Sequence, residues 1–296
     1  MIISTLDKKG GFFSMFFFMV NHYLYCKKYN INFKLNTSNW VYLYKDGWID
    51  YFENFDLILN NEINILECFH GKILENFKLY EYKNAIKEIY KYNDLTKHKI
   101  NEIKEKYNLF NNKYSSIFIR RGDKLFYESL YYNSELYIKL LLEKDPECDI
   151  IFIQTDDYNV FIDLEEYIIK NKLNIKLITL CDKNIKGMLV AKLDINTIHA
   201  KNIDYFLSIK KDLQNTKIIS EMNKIEIYQH TIDMIIGLDI VLHSNFCITD
   251  YQSNVSRFIK LAHNNFHNVY TIEYNYINLN DINCPSYLFN DDCCII

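Results

Sequence analysis

"SSIFIRRGDKLFYESLYYNSELYIKLLLEKDPECDIIFIQTDD", residues 115–157, contains two short apolar runs, each ending in charge, with an amphipathic segment between them. "SSIFIRR" and "DIIFIQT" are the length of buried strands. "SELYIKLLLEK" places apolar residues at helical spacing, so the segment reads as strand, helix, strand. The alternation continues downstream with a helix near 158–171, a strand in "NIKLITL", a helix near 226–243, a strand in "NFCIT", a helix from Asn254 to His263 and a strand in "NVYTIE". Such alternation predicts a parallel sheet covered on both faces.

Upstream, "MIISTLDKKGG" reads as a strand and a glycine turn, followed by a helix to about Tyr29 and a strand in "INFKLN". Residues 73–110 carry helical spacing with solvated charges and read as more than one connecting helix. The predicted architecture is therefore α/β with two Rossmann-like halves facing a cleft. Residues 1–110 form an N-terminal half with its helical connector, and 111–296 form the half that binds the ligand.

The 296 residues are 49% hydrophobic and 24% charged, with a formal net charge of −4, so neither a nucleic-acid-coating protein nor one that coats an anionic membrane is expected. "FFSMFFFMV", residues 12–20, is far short of the ~20 residues of a membrane span. No small-residue cleavage site follows it, so it reads as a buried helix. The eight cysteines form no C-x-x-C pair, which points to free thiols in a reducing, cytoplasmic compartment rather than to a zinc site or a disulfide framework.

In an open parallel sheet, ligands bind beyond the carboxyl ends of the strands. Three such ends are polar here: "FIRRGDKLFYE", "FIQTDD" and "CITDYQSNVSR". Arginine suits phosphate because its planar fork donates in pairs and stays charged. If the strand runs through both Arg120 and Arg121, they point to opposite faces. One then meets the ligand, and the other pairs with a carboxylate such as Asp123 or Asp157. Ser253 and Asn254 at a helix start add anion-binding donors, and Gly10-Gly11 would allow close backbone approach from the other half. Together these residues point to a nucleotide diphosphate, although an ion-pair network without a ligand would have the same spacing. Sequons occur at Asn36 and Asn254, and a glycan at Asn254 would block this ligand loop. Adjacent carboxylates at a strand end diverge, so Asp156 and Asp157 read as hydrogen-bond acceptors for sugar or backbone in preference to metal ligands. His199, His263 and His267 read as loop or surface residues.

"RRGDKLFYE" resembles the Arg-Arg-Thr-Asp-Lys-x-x-x-Glu signature of the α-1,6-fucosyltransferases, the core-fucosylating enzymes and their rhizobial relatives. "QTDD" is similar to that family's "ATDD", "DYQSNVSR" to "TFSSQVCR", and "TSNWVYLYKDGWIDYF", residues 37–52, to its Asn-Trp and Gly-Trp stretch. The blocks occur in the family's order and cover most of the chain.

The resemblance implies GDP-fucose as donor substrate, inversion at the anomeric carbon, no cofactor and no metal. Its partners would be a GDP-sugar and a glycan acceptor, with no nucleic acid and no membrane span. By matched position, Arg120 would hold the β-phosphate, while Arg121, Asp123 and Lys124 brace the loop and the acceptor side. Glu128 would be the general base. Asp156 and Asp157 would shape the acceptor and sugar site, and Ser253 and Asn254 would contact the diphosphate and fucose. Gly10 and Gly11 would line the nucleotide, and Asp239, with Asp233 second, matches a helix aspartate that contacts it.

Gly122 stands where the family has threonine, and Phe118 where it has a histidine. Gln252-Ser253-Asn254 replaces Ser-Ser-Gln. The anchor, stem and SH3-like domain of the animal enzymes have no counterpart in these residues. A transferase using another GDP-sugar, a catalytically silent sugar-nucleotide or glycan-binding protein, and a metal-dependent phosphohydrolase built on Thr155-Asp156-Asp157 are the alternative readings.

Overall fold

The computed structural model describes residues 1–7, 10–58, 66–68, 77–122, 131–189 and 217–272. Two compact units divide the chain: Met1–Lys99 with Asn223–Ile232, and Ile100–Met222 with Asp233–Cys284.

In the first unit, β1 (Ile2–Thr5) lies between β2 (Phe33–Asn36) and β3 (Leu66–Cys68), all parallel. Helix α1 (Phe12–Lys28) makes the β1–β2 crossover that the sequence predicts. It packs through Phe12, Phe13, Phe16 and Phe17, all buried, so "FFSMFFFMV" is core. The "NWVYLYKDGWIDYF" stretch folds over the start of this helix. Trp48 stacks on Phe52 with centroids 4.2 Å apart and lies parallel to Phe16 at 6.1 Å, and Trp40 meets Phe12 at 5.2 Å. Asp50 fixes the turn by accepting from the backbone N–H groups of Tyr44, Lys45, Asp46 and Gly47 at 2.8–3.1 Å. Helix α2 (Leu79–Ile89) follows, and α3 (Asp94–Lys106) contributes residues to both units.

The second unit is built on β4 (Ser115–Ile119), α4 (Ser134–Lys144), β5 (Ile150–Thr155), α5 (Tyr158–Lys170) and β6 (Lys176–Thr179). A two-stranded ribbon, β7 (Met188–Leu189) with β8 (Lys217–Ile218), precedes α6 (Lys224–Leu242), β9 (Cys247–Thr249), α7 (Asn254–Ala262) and β10 (Val269–Thr271). Seven α-helices are present among the described residues. The five-stranded sheet is wholly parallel in the order β10-β9-β4-β5-β6. Ile117, Ile119, Ile151, Ile153 and Ile248 pack on one face with Leu140, Leu141 of α4 and Val160, Leu164 of α5. Gln154, of opposite parity on β5, reaches α6 instead. A Cβ at Gly237 would lie 1.8 Å from its Oε1, so this glycine lets helix and strand approach. The unit is thus α/β with helices on both faces, as expected from the alternation.

From β4 the chain adds β5 and β6 on one side, then returns to add β9 and β10 on the other. The order reverses between β4 and β9, and the carboxyl ends of these two strands flank the crevice where ligands of doubly wound sheets bind.

Candidate active site at the carboxyl edge of the second sheet

Strand β4 ends at Ile119, one residue before the arginines, so strand parity does not set their directions. Arg120 forms an ion pair with Asp156, a carboxylate of the next strand end, while Asp123 lies outside the described residues. Arg121 turns inward and is 3% exposed. Its guanidinium donates to the Tyr132 carbonyl at 2.8 Å and to Ser134 Oγ at 3.4 Å, and it lies 4.4 Å from the Tyr131 ring centroid. Ser134 in turn donates to Asp163 at 2.9 Å.

Asp156 and Asp157 diverge, as adjacent residues at a strand end should, and both accept from backbone. Asp156 binds the amide of Arg121 at 2.7 Å and that of Met188 at 3.2 Å, and its own carbonyl accepts from Gly187 at 2.8 Å. One carboxylate therefore joins the β4 loop, the end of β5 and the start of β7. Asp157 caps α5 by accepting from Asn159 N at 2.9 Å. Burial pushes its carboxyl up to about 6; the α5 amide opposes the shift, Asp156 adds to it, and Arg121 and Lys186 oppose it.

Gly122 follows the arginines at φ +57°, with Gly187 behind it at φ +86°. A Cβ on Gly122 would meet the Met188 carbonyl at 2.4 Å and Asp156 Oδ2 at 2.7 Å. A threonine, as in the signature that this stretch resembles, would have no room here.

On the other side of the crevice, Asp250 is buried after β9. It accepts from Ser253 N at 2.9 Å and Ser256 Oγ at 3.1 Å. Burial raises its carboxyl, opposed by these bonds and by the charge of Arg121. Ser253 caps α7 through Ser256 N at 3.0 Å, and Asn254 Oδ1 accepts from Arg257 Nη1 at 3.1 Å. Gln252 Nε2 reaches Tyr132 Oη at 3.4 Å, so Tyr132 touches both loops that flank the crevice.

The structure thus brings together Arg120, Arg121, Asp156 and Asp157 with Ser253 and Asn254. Asp123, Lys124 and Glu128 lie outside the described residues, as does His199. Asp239 takes no part in this network: its carboxylate on α6 pairs with Lys104 at 2.5 Å, with His243 at 3.4 Å. Gly10 and Gly11 belong to the first unit, where Gly11 precedes α1. His263 follows α7 in a loop, as one of the two expectations had it, but it is not at the surface: it is 5% exposed, and burial pulls its imidazole down to about 4. Sequence alone does not single out Asp250, Arg257 or Ser134, although Asp250 and Arg257 bound the quoted "DYQSNVSR". Among the described residues no cluster of three or more His, Cys, Asp or Glu is placed to hold a metal ion. No described helix is long and apolar enough to cross a membrane.

No protein-family profile matches the chain, and no curated protein matches it by sequence. Among solved structures, it is similar to NodZ α-1,6-fucosyltransferase soaked with GDP-fucose, with a TM-score of 0.55 at 9% identity over 88% of this chain and 91% of that one. Fucosyltransferase NodZ from Bradyrhizobium gives a TM-score of 0.54 at 9% identity, covering 88% of this chain and 92% of that one. At this identity the likeness establishes the fold.

Proposed function

We propose that the protein is an inverting glycosyltransferase that moves fucose from GDP-fucose to a glycan hydroxyl, in the manner of the α-1,6-fucosyltransferases, without a metal. One observation carries the reading: the reversal of strand order between β4 and β9 places the Arg120-Arg121 loop and the first turn of α7 on either side of one crevice. The fold shared with a fucosyltransferase soaked in GDP-fucose supports the choice of donor.

In this scheme Glu128 accepts the proton of the acceptor hydroxyl, whose oxygen attacks the anomeric carbon. The bond from that carbon to the β-phosphate oxygen breaks, and its electron pair leaves on GDP. Arg120 holds the β-phosphate and stabilises the charge that develops there. Lys124, Asp123 and Arg121 brace the loop, and Ser253 and Asn254 meet the diphosphate and the fucose. Asp156 holds Arg120 in place, and with Asp157 it shapes the sugar side. A donor carrying another sugar on GDP is the second reading, favoured by Phe118, which is buried in β4 where the family has a histidine. Four described cysteines, Cys26, Cys148, Cys181 and Cys247, are free thiols, consistent with a reducing, cytoplasmic site of action.

The test is release of GDP from GDP-fucose in the presence of a glycan acceptor and a chelator. General-base catalysis contributes about 10²- to 10⁴-fold. Glu128→Gln should therefore lose that much turnover and keep GDP affinity. Turnover that disappears with the chelator, or a fully active Glu128→Gln, contradicts the proposal.

A further inference from the structure

Six charged side chains are buried among the described residues, all in the second unit: Lys104, Arg121, Asp157, Asp239, Asp250 and Arg257. Five of them face opposite charge. Lys104 pairs with Asp239, and the charge of Arg121 opposes the rise that burial imposes on the carboxyls of both Asp157 and Asp250. Arg257 differs from the rest. It is 8% exposed, its Nε meets no acceptor, and its hydrogen-bond partner is the neutral Asn254 Oδ1.

A buried guanidinium without a counter-charge is costly, so its retention calls for an anion. Its position indicates where that anion would lie. Arg257 stands on the first turn of the nine-residue helix α7, and side chains on a helix lean toward its N-terminus. The bond to Asn254 shows that it does so here. The amides of Asn254 and Val255, the first two of the helix, have no acceptor among the described residues, whereas the Ser253 and Ser256 amides are taken by Asp250 and Ser253. Free amides, the positive end of the helix and a buried cation without a counter-charge thus lie on one helical turn beside the crevice. Arg121 cannot serve there, because it is committed to Tyr132, Ser134 and the Tyr131 ring.

We propose that Arg257, with the amides of Asn254 and Val255, forms the phosphate subsite of this crevice and is the second cation on the diphosphate, opposite Arg120. The inference rests on the nucleotide-sugar reading and deepens it. The experiment is calorimetric titration of GDP into the wild-type chain and the Arg257→Met and Arg257→Lys variants, with thermal melting of each in inorganic pyrophosphate. Arg257→Met should weaken GDP by about ten- to a hundredfold, the worth of a charge-assisted hydrogen bond. It should also abolish the rise in melting temperature given by pyrophosphate, and Arg257→Lys should recover part of both. Having lost an unpaired buried charge, Arg257→Met should melt no lower than the wild type. Wild-type-like GDP affinity in Arg257→Met overturns the subsite and leaves the nucleotide reading standing. A wild type that binds no GDP removes the nucleotide reading. In that case the subsite survives only if pyrophosphate still stabilises the wild type and not Arg257→Met. If Arg257→Met fails to fold or melts well below the wild type, Arg257 is a structural residue and the proposal is wrong.

Discussion

The two units solve the same problem, covering a parallel sheet, with different materials. The first is aromatic: Phe12, Phe16, Trp40, Trp48, Tyr51 and Phe52 form its centre, and its buried polar residues are uncharged. The second is aliphatic, led by Ile117, Ile151, Ile153, Leu140 and Leu141, and it holds every buried charge among the described residues. Charge inside a fold is tolerated only when paired or used. The contrast supports placing the proposed chemistry in the second unit and gives the first unit a core made for packing. Both tryptophans of the chain, Trp40 and Trp48, are in the first unit, so their emission reports on that unit and ligand binding at the crevice reports on the other.

The largest effect should come from breaking the aromatic core. Trp48→Ala removes a ring stacked on Phe52 and should cost about 3–5 kcal/mol in a denaturant titration followed by the emission of Trp40. A loss under about 1 kcal/mol would mean that these rings are not the core of that unit. Next is Gly122→Thr, which introduces the residue that the fucosyltransferase signature has at the similar position. At φ +57° and against the Met188 carbonyl it should cost about 1–3 kcal/mol from backbone strain alone, and it should displace the Arg121 amide from Asp156. A neutral effect on melting would show that the β4 loop is not held as described.

The smallest effect depends on pH. Asp157 has its carboxyl raised to about 6 in the folded chain, against about 3.9 unfolded. Its ionised form is disfavoured by folding, so this penalty is full above pH 6 and fades as pH falls toward 4. Asp157→Asn keeps the cap on α5. It should be more stable than the wild type by on the order of 1–3 kcal/mol at pH 7 and equal to it near pH 4. In the first unit, His22 works in the opposite direction. Its imidazole is pulled down to about 4 by burial, so stability is lost as pH falls from 6.5 to 4. A pH-independent difference between Asp157→Asn and the wild type would contradict the placement of Asp157.

Local periodicity made most of the fold legible. The helix at Ser134–Lys144 matches the segment read from sequence residue for residue, and the strand and helix alternation from 115 onward is as expected. Strand order was not legible, because the return of the chain from β6 to β9 is set by packing between distant segments. The two-residue strands β7 and β8 carry too little pattern to read. In the site, the motif residues were identified but their partners were not. A strand that stops at Ile119 instead of Arg121 undoes the parity argument and gives Arg120 to Asp156. Arg257 and His263 lie on or beside a short helix with few distinguishing neighbours in sequence, and only burial sets them apart.

If the protein is the transferase proposed, the crevice between β4 and β9 holds the diphosphate of a guanine nucleotide. The most direct test is a calorimetric titration of GDP into the whole chain with a chelator present, against UDP and ADP. Saturable binding of one GDP per chain is expected, with UDP and ADP at least about tenfold weaker, as the loss of one or two base contacts requires. No heat from GDP, or equal affinity for all three nucleotides, would contradict it.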